Sequence, residues 1–156
     1  MAFTTVSMTN TKLAILGTVI AGLSVLFGAF GAHGLESSSE QWPEATRQKR
    51  LDNWATAAQY QMFHGLAMLA AAAWMNSVCP TGVATNGSSG GGRLAHTAAW
   101  GFLIGTILFC GSLYLYTLTG ITKFGAVTPI GGLAWLVAWT CLGLAVAKEP
   151  SRTQTS

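Results

Sequence analysis

Long uncharged segments alternate with short polar segments along the chain. The segments without Asp, Glu, Lys or Arg include residues 13–33, 58–78, 95–118 and 127–147. Each reaches the roughly 20 residues that an α-helix needs to cross a hydrocarbon core of about 30 Å. The pattern predicts an all-α integral membrane protein, an antiparallel four-transmembrane-helix bundle that forms a single membrane domain over residues 1–156. A cleaved signal peptide is the alternative for the first segment, although its apolar run exceeds the roughly 7 to 15 residues usual there.

Two polar connections separate the first three predicted spans. Pro43 suits the first turn of a helix, so an interfacial helix is expected to begin there and to lead directly into the second span. Residues 79–93 predict a flexible Gly-rich loop, because a composition such as Thr-Asn-Gly-Ser-Ser-Gly-Gly-Gly has no apolar surface to bury. Residues 34–57 form the predicted interfacial charged connection, with Glu36, Glu40, Glu44, Arg47, Lys49, Arg50 and Asp52.

The composition excludes several classes of protein. Hydrophobic residues make up 51% of the chain and charged residues only 8%, whereas a soluble domain has about 25% charged residues. The net charge of +3 comes without a basic run, so nucleic-acid binding is not expected. The expected partners are the lipid bilayer and a membrane-protein partner or a second copy of this chain. Lys and Arg divide evenly between the two predicted sides, which leaves the orientation open.

Polar residues gather where the predicted spans meet one side of the membrane. Residues 28–33 end the first span and residues 59–64 open the second, while residues 111–117 end the third and residues 128–132 open the fourth. Because successive spans reverse direction, all four motifs are expected at the same membrane face. We call this set the polar layer, and its candidate site residues are His33, Gln59, Tyr60, Gln61, His64, Ser112, Tyr114 and Thr128.

His64 is expected about two helical turns inside the membrane. An unpaired imidazole in hydrocarbon loses its hydrogen bonds to water, so the ring should face the other helices and find a partner there. The partners expected for it are Gln61, Tyr114, Ser112 and Thr128.

Two functions suit such a layer. In the first, its polar contacts only hold the helices together, which makes the chain a non-enzymatic structural or accessory component. In the second, His33 and His64 form part of a site for a proton, a quinone, haem, a metal or another small ligand or redox cofactor.

Two histidines do not make a zinc site, and His96 lies toward the opposite face. Because every acidic residue lies outside the spans, no catalytic set can be assembled. No metal site and no cofactor are therefore predicted.

The same motifs carry a resemblance to a known family. Gly-Ala-Phe-Gly-Ala-His, Gln-Tyr-Gln-Met-Phe-His, Phe-Cys-Gly-Ser-Leu-Tyr and Thr-Pro-Ile-Gly-Gly resemble the small membrane proteins of the domain of unknown function 423 family, which includes YwdK- and YgdD-like proteins and transmembrane protein 256. The resemblance extends from Leu13 to Ala147. It implies a multi-pass protein of the bacterial cytoplasmic (inner) membrane, or of a mitochondrial membrane in a eukaryote, and it implies no activity.

Overall fold

Four long α-helices make up most of the part of the chain that the structure describes. The structure, a computed structural model, describes residues 3–78 and 90–148. The long helices are α1 (Phe3–Ala29), α2 (Glu44–Val78), α3 (Gly90–Thr119) and α4 (Thr128–Ala147). No strand occurs in the described ranges, so the prediction of an all-α fold is confirmed. The predicted Gly-rich loop falls mainly on residues 79–89, outside the described residues, and α3 begins at Gly90.

The chain between α1 and α2 is helical for most of its length. A π-helix over Phe30–Leu35 continues α1 directly, and one α-helical turn and one 3-10 turn follow it up to Gln41. The backbone becomes extended at Trp42. The Pro43 carbonyl then accepts from the amides of Thr46 and Arg47, and α2 runs without interruption from Glu44 to Val78. The expected helix that starts near Pro43 and leads into the second apolar segment is therefore present.

A left-handed glycine ends α3. Gly120 has a φ of +73°, and its amide donates to the Tyr116 carbonyl at 2.8 Å. This conformation is the usual way to stop a helix, because glycine has no Cβ to clash there. A 3-10 helix over Thr122–Ala126 then joins α3 to α4.

Consecutive long helices pack side by side, with α2 between α1 and α3 and with α4 against α3. Contacts between α1 and α2 pair Trp54 with Phe27, Gln61 with Ile20 and Asn76 with Asn10. Residue numbers thus fall along α1 as they rise along α2. The core between the helices consists largely of alanine, together with larger side chains that include Met68, Phe102 and Trp135.

Glycine allows the closest helix contacts. A Cβ added to Gly17 would come within 2.8 Å of the Gly65 carbonyl oxygen, across the contact between α1 and α2. A Cβ added to Gly131 would come within 2.5 Å of the Phe109 amide nitrogen, across the contact between α3 and α4. Such close backbone approach is how helices gain packing contacts in lipid, where the hydrophobic effect does not press them together.

Within residues 3–78 and 90–148, three segments are long and apolar enough to cross a membrane: Asn10–Gln41, Gly90–Thr119 and Thr122–Ala147. Large apolar side chains are exposed along them, among them Leu26, Ile107 and Leu136. Water would make this exposure costly, whereas lipid would not. The second apolar segment, within α2, is not among the three. It contains Gln59, Gln61 and His64, and their polar side chains lower its mean hydropathy.

Candidate functional site

Gln61 is the centre of the polar layer in the structure. Its side chain is buried, its Nε2 donates to the Ile20 carbonyl at 3.0 Å, and its Oε1 accepts from the Tyr114 hydroxyl at 3.0 Å. One amide group therefore connects α1, α2 and α3. Its burial is possible because both of its ends are hydrogen-bonded.

His64 lies one turn further along α2 and has different partners from those expected. Its Nδ1 lies 2.8 Å from the Tyr60 carbonyl oxygen. Because a carbonyl oxygen can only accept, the Nδ1 atom carries the proton and donates it. The imidazole lies parallel to the Trp135 indole, with ring centroids 3.6 Å apart and an interplanar angle of 2°. The expectation of a partner among Gln61, Tyr114, Ser112 and Thr128 is thus corrected, because a backbone carbonyl four residues earlier lies within reach of the ring.

Ser112 and Thr128 form a second polar contact, between α3 and α4. Their hydroxyl oxygens are 2.8 Å apart, and the Ser112 hydroxyl also lies 2.9 Å from the Phe109 carbonyl oxygen. Two residues that the sequence placed in the layer are therefore in direct contact, although neither reaches His64.

Three candidate residues are more exposed than these. Gln59 and His33 are exposed. Tyr60 is 41% exposed, but its ring stacks near Trp135 and His64. The expected site shared by His33 and His64 is not formed. Gly65, the neighbour of His64, packs against Gly17, and Gly17 precedes His33 by sixteen residues. At 1.5 Å per residue, the two histidines are roughly 20 Å apart along the helix axis.

Arg50 belongs to the predicted interfacial charged connection, yet it is only 6% exposed. Its Nε donates to the Thr117 carbonyl at 2.7 Å and its Nη2 to the Leu118 carbonyl at 3.0 Å. In return, the Thr117 hydroxyl donates to the Arg50 carbonyl at 2.9 Å. The guanidinium carbon also lies 3.7 Å from the ring centroid of Trp42. Arg50 thus holds the end of α3 against the first turns of α2.

A spacing in the sequence could have revealed Arg50. The buried residues Arg50, Trp54, Ala57, Gln61, His64 and Met68 recur at alternating intervals of four and three residues. That interval keeps side chains on one face of an α-helix. The pattern begins within the charged connection, so the buried face of α2 extends beyond the apolar segment.

The chemistry available in the polar layer is limited. Among the described residues, no group of three or more His, Cys, Asp and Glu side chains could hold a metal ion. In the same part of the chain, no buried side-chain nitrogen or oxygen is without a hydrogen-bond partner. The arrangement is suited to joining helices.

We predict that Gln61→Leu lowers the free energy of unfolding by about 1 to 2 kcal/mol, because it removes two contacts between helices and leaves the Tyr114 hydroxyl without its acceptor. The matched control is Gln59→Leu, an exposed glutamine on the same helix. Denaturation by sodium dodecyl sulfate of protein in dodecylmaltoside, followed by circular dichroism, measures both variants. Equal stability of the two would contradict the connecting role of Gln61.

Comparisons with known proteins point to one family. The family model described as "Protein of unknown function (DUF423)" matches residues 27–132, a range that contains all four motifs of the polar layer. The UPF0382 membrane protein YwdK of Bacillus subtilis is 37% identical over 134 residues, which cover 86% of this chain and 94% of YwdK. A UPF0382 membrane protein of Staphylococcus saprophyticus is 37% identical over 86% of this chain and 95% of its own length. A UPF0382 membrane protein of Staphylococcus haemolyticus is 36% identical over 86% of this chain and 93% of its own length. No solved structure matches.

Proposed function

Because the chain belongs to the DUF423 family of membrane proteins, we propose that it is a non-enzymatic structural or accessory component of the bacterial cytoplasmic membrane. The observation that carries the proposal is the contact made by Gln61, which joins three helices through one side chain. A catalytic or ligand-binding group needs free donors or acceptors, whereas the Gln61 amide and the Tyr114, Ser112 and Thr128 hydroxyls are occupied by contacts between helices.

The proposal includes an antiparallel bundle of four transmembrane helices. The pairing of rising residue numbers on α2 with falling numbers on α1 supports it. The placement of the polar groups of α2 supports it too. Gln61 and His64 are buried against neighbouring helices. Lipid around α2 would therefore not contact these polar side chains.

Reporter fusions test the topology. We expect fusions placed after Arg93 and after Arg152 to report the same side of the membrane, and a fusion placed after Lys123 to report the other side. A pair of reporters, one active only outside the cytoplasmic membrane and one active only in the cytoplasm, makes the comparison independent of the expression level. Fusions after Arg93 and Arg152 that report different sides would exclude four spans.

Purification from the membrane tests the non-enzymatic role. Protein extracted in a mild neutral detergent is expected to carry no stoichiometric metal, haem or quinone by metal analysis, absorption spectroscopy and mass spectrometry of the lipid extract. A stoichiometric cofactor that is lost in His64→Ala would contradict the proposal.

Crosslinking in cells tests the accessory role. A photoreactive residue at Leu136, which is 66% exposed, is expected to link the chain to another membrane protein or to a second copy of the chain.

A further inference from the structure

A cleft of about 630 Å³ lies between the end of α1 and the first half of α2, and neither Gln61 nor Ile20 lines it. Its α1 side is lined by Gly28 and by Gly31 and Ala32 of the π-helix. A Cβ added to Gly28 would meet nothing within 4 Å. Sites for small molecules in proteins typically measure about 300 to 1,000 Å³, so the cleft has room for a ligand.

One wall of the cleft is held rigidly. The Trp54 indole lines it, and its N–H donates to the Phe27 carbonyl at 2.7 Å. Gly31 lies so close to this ring that a Cβ would come within 2.5 Å of Trp54 Cδ1. Gly31 belongs to the π-helix, a wider helical turn that often occurs at functional sites. The wall is therefore pre-organised, which lowers the cost of binding.

The cleft has an apolar part and an acidic rim. Met62 and Phe63 provide apolar surface on the α2 side, whereas Glu36 and Asp52 line the rim. No Lys or Arg lines the cleft in the part of the chain that the structure describes. Within those residues the one ion pair joins Arg47 to Glu44. Asp52 accepts from Gln48 at 2.8 Å, a neutral donor that leaves its charge uncompensated.

We propose that this cleft binds an amphiphile with an ammonium head group and an apolar tail. The head group lies between Glu36 and Asp52, where two negative charges beside a low-dielectric wall attract a cation. The tail lies along Gly28 and Phe63. An anionic head group would meet two like charges, so the rim selects against it. This site goes beyond the proposed function, because holding helices together needs no ligand.

Calorimetric titration of the purified full-length chain in neutral detergent tests the head-group chemistry, with protein-free micelles as the blank. Dodecyltrimethylammonium is expected to bind saturably at one site per chain, and dodecanoate and dodecanol are not. The Glu36→Gln and Asp52→Asn double variant is expected to bind the cation about tenfold more weakly, because both carboxylates that attract it are neutralised. Glu40→Gln, an exposed acid that does not line the cleft, is the control and should bind as the natural chain does.

Filling the cleft provides a second test that leaves the acids intact. Gly28→Leu is expected to abolish binding, because its side chain enters the open space. Gly22→Leu is the matched control: its Cβ would also meet nothing within 4 Å, and it lies on the same helix outside the cleft. Binding that is equal in the natural chain, the double acid variant and Gly28→Leu would overturn the proposal, and so would equal affinity for dodecanoate.

The source of the amphiphile is distinguished in lipid nanodiscs with equal amounts of phosphatidylethanolamine and phosphatidylglycerol of identical acyl chains. Native mass spectrometry of the released protein then identifies retained lipid. Phosphatidylethanolamine that is retained by the natural chain and lost in Gly28→Leu assigns a bilayer aminolipid. No retained lipid, together with saturable binding of the alkylammonium probe, assigns a free lipophilic amine. Gly28-dependent retention of phosphatidylglycerol at the same level would contradict selection by charge.

Discussion

Replacing Gly131 by alanine is expected to lower the free energy of unfolding by about 3 kcal/mol or more, the upper range for overpacking a tight interface. A Cβ at this position would lie 2.5 Å from the Phe109 amide nitrogen and 2.8 Å from its Cβ. The amide nitrogen is a backbone atom and the Cβ is bonded directly to the backbone. Neither can move by a side-chain rotation, as the end of a long side chain could. The helices α3 and α4 must separate, and the contact between Ser112 and Thr128 separates with them.

The neighbouring glycine is the control for this prediction. A Cβ at Gly132 would lie 3.9 Å from the Phe109 ring, which is an ordinary van der Waals distance. Gly132→Ala is therefore expected to be neutral or to stabilise the chain by up to about 1 kcal/mol, the difference in helix propensity. Denaturation by sodium dodecyl sulfate from a neutral detergent, followed by circular dichroism, compares the two variants. The close contact would be disproved if both alanine variants gained stability.

Replacing Arg50 by methionine is expected to lower the free energy of unfolding by about 3 kcal/mol, because two charge-assisted hydrogen bonds are lost. Methionine keeps an unbranched apolar chain, so the effect reports the guanidinium group. The carbonyls of Thr117 and Leu118 lie at the end of α3, where helix carbonyls have no partner within the helix. Without Arg50, these groups lose the donor that α2 supplies.

Lys49→Met removes one positive charge at the adjacent, exposed position and is the matched control for Arg50→Met. We expect it to change stability little, since exposed charges contribute little. Arg50→Lys should lie between the two, because one ammonium group does not reproduce the planar fork that reaches both carbonyls. Hydrogen exchange at Gly120 and Ile121 measures the local effect, and fraying there in Lys49→Met alone would contradict the assignment.

Much of the fold followed from local properties of the sequence. Helix length and the absence of charge depend only on neighbouring residues, so the apolar segments and the helix after Pro43 could be predicted directly. The candidate site was predicted less completely. Gln61, Tyr114, Ser112 and Thr128 were expected in contacts between helices, and they are found in two of them.

His33 and His64 show why the remainder could not be predicted. Connectivity places both toward one end of the helices, but it does not say how far along the axis each lies. The packing of Gly65 against Gly17 decides that distance, and it depends on which glycines meet. The burial of Arg50 had a signal in the spacing of α2, yet its partners lie 67 and 68 residues away along the chain.

The sequence by itself determined that this chain is helical and belongs in a membrane, since long uncharged segments are stable only where lipid replaces water. It also determined which polar residues had to find partners. Only the tertiary structure decided the partners themselves. In the structure, His64 stacks on Trp135, Gln61 bonds to two other helices and a cleft lies beside the π-helix. Each of these features depends on distances between helices, which no local sequence pattern determines.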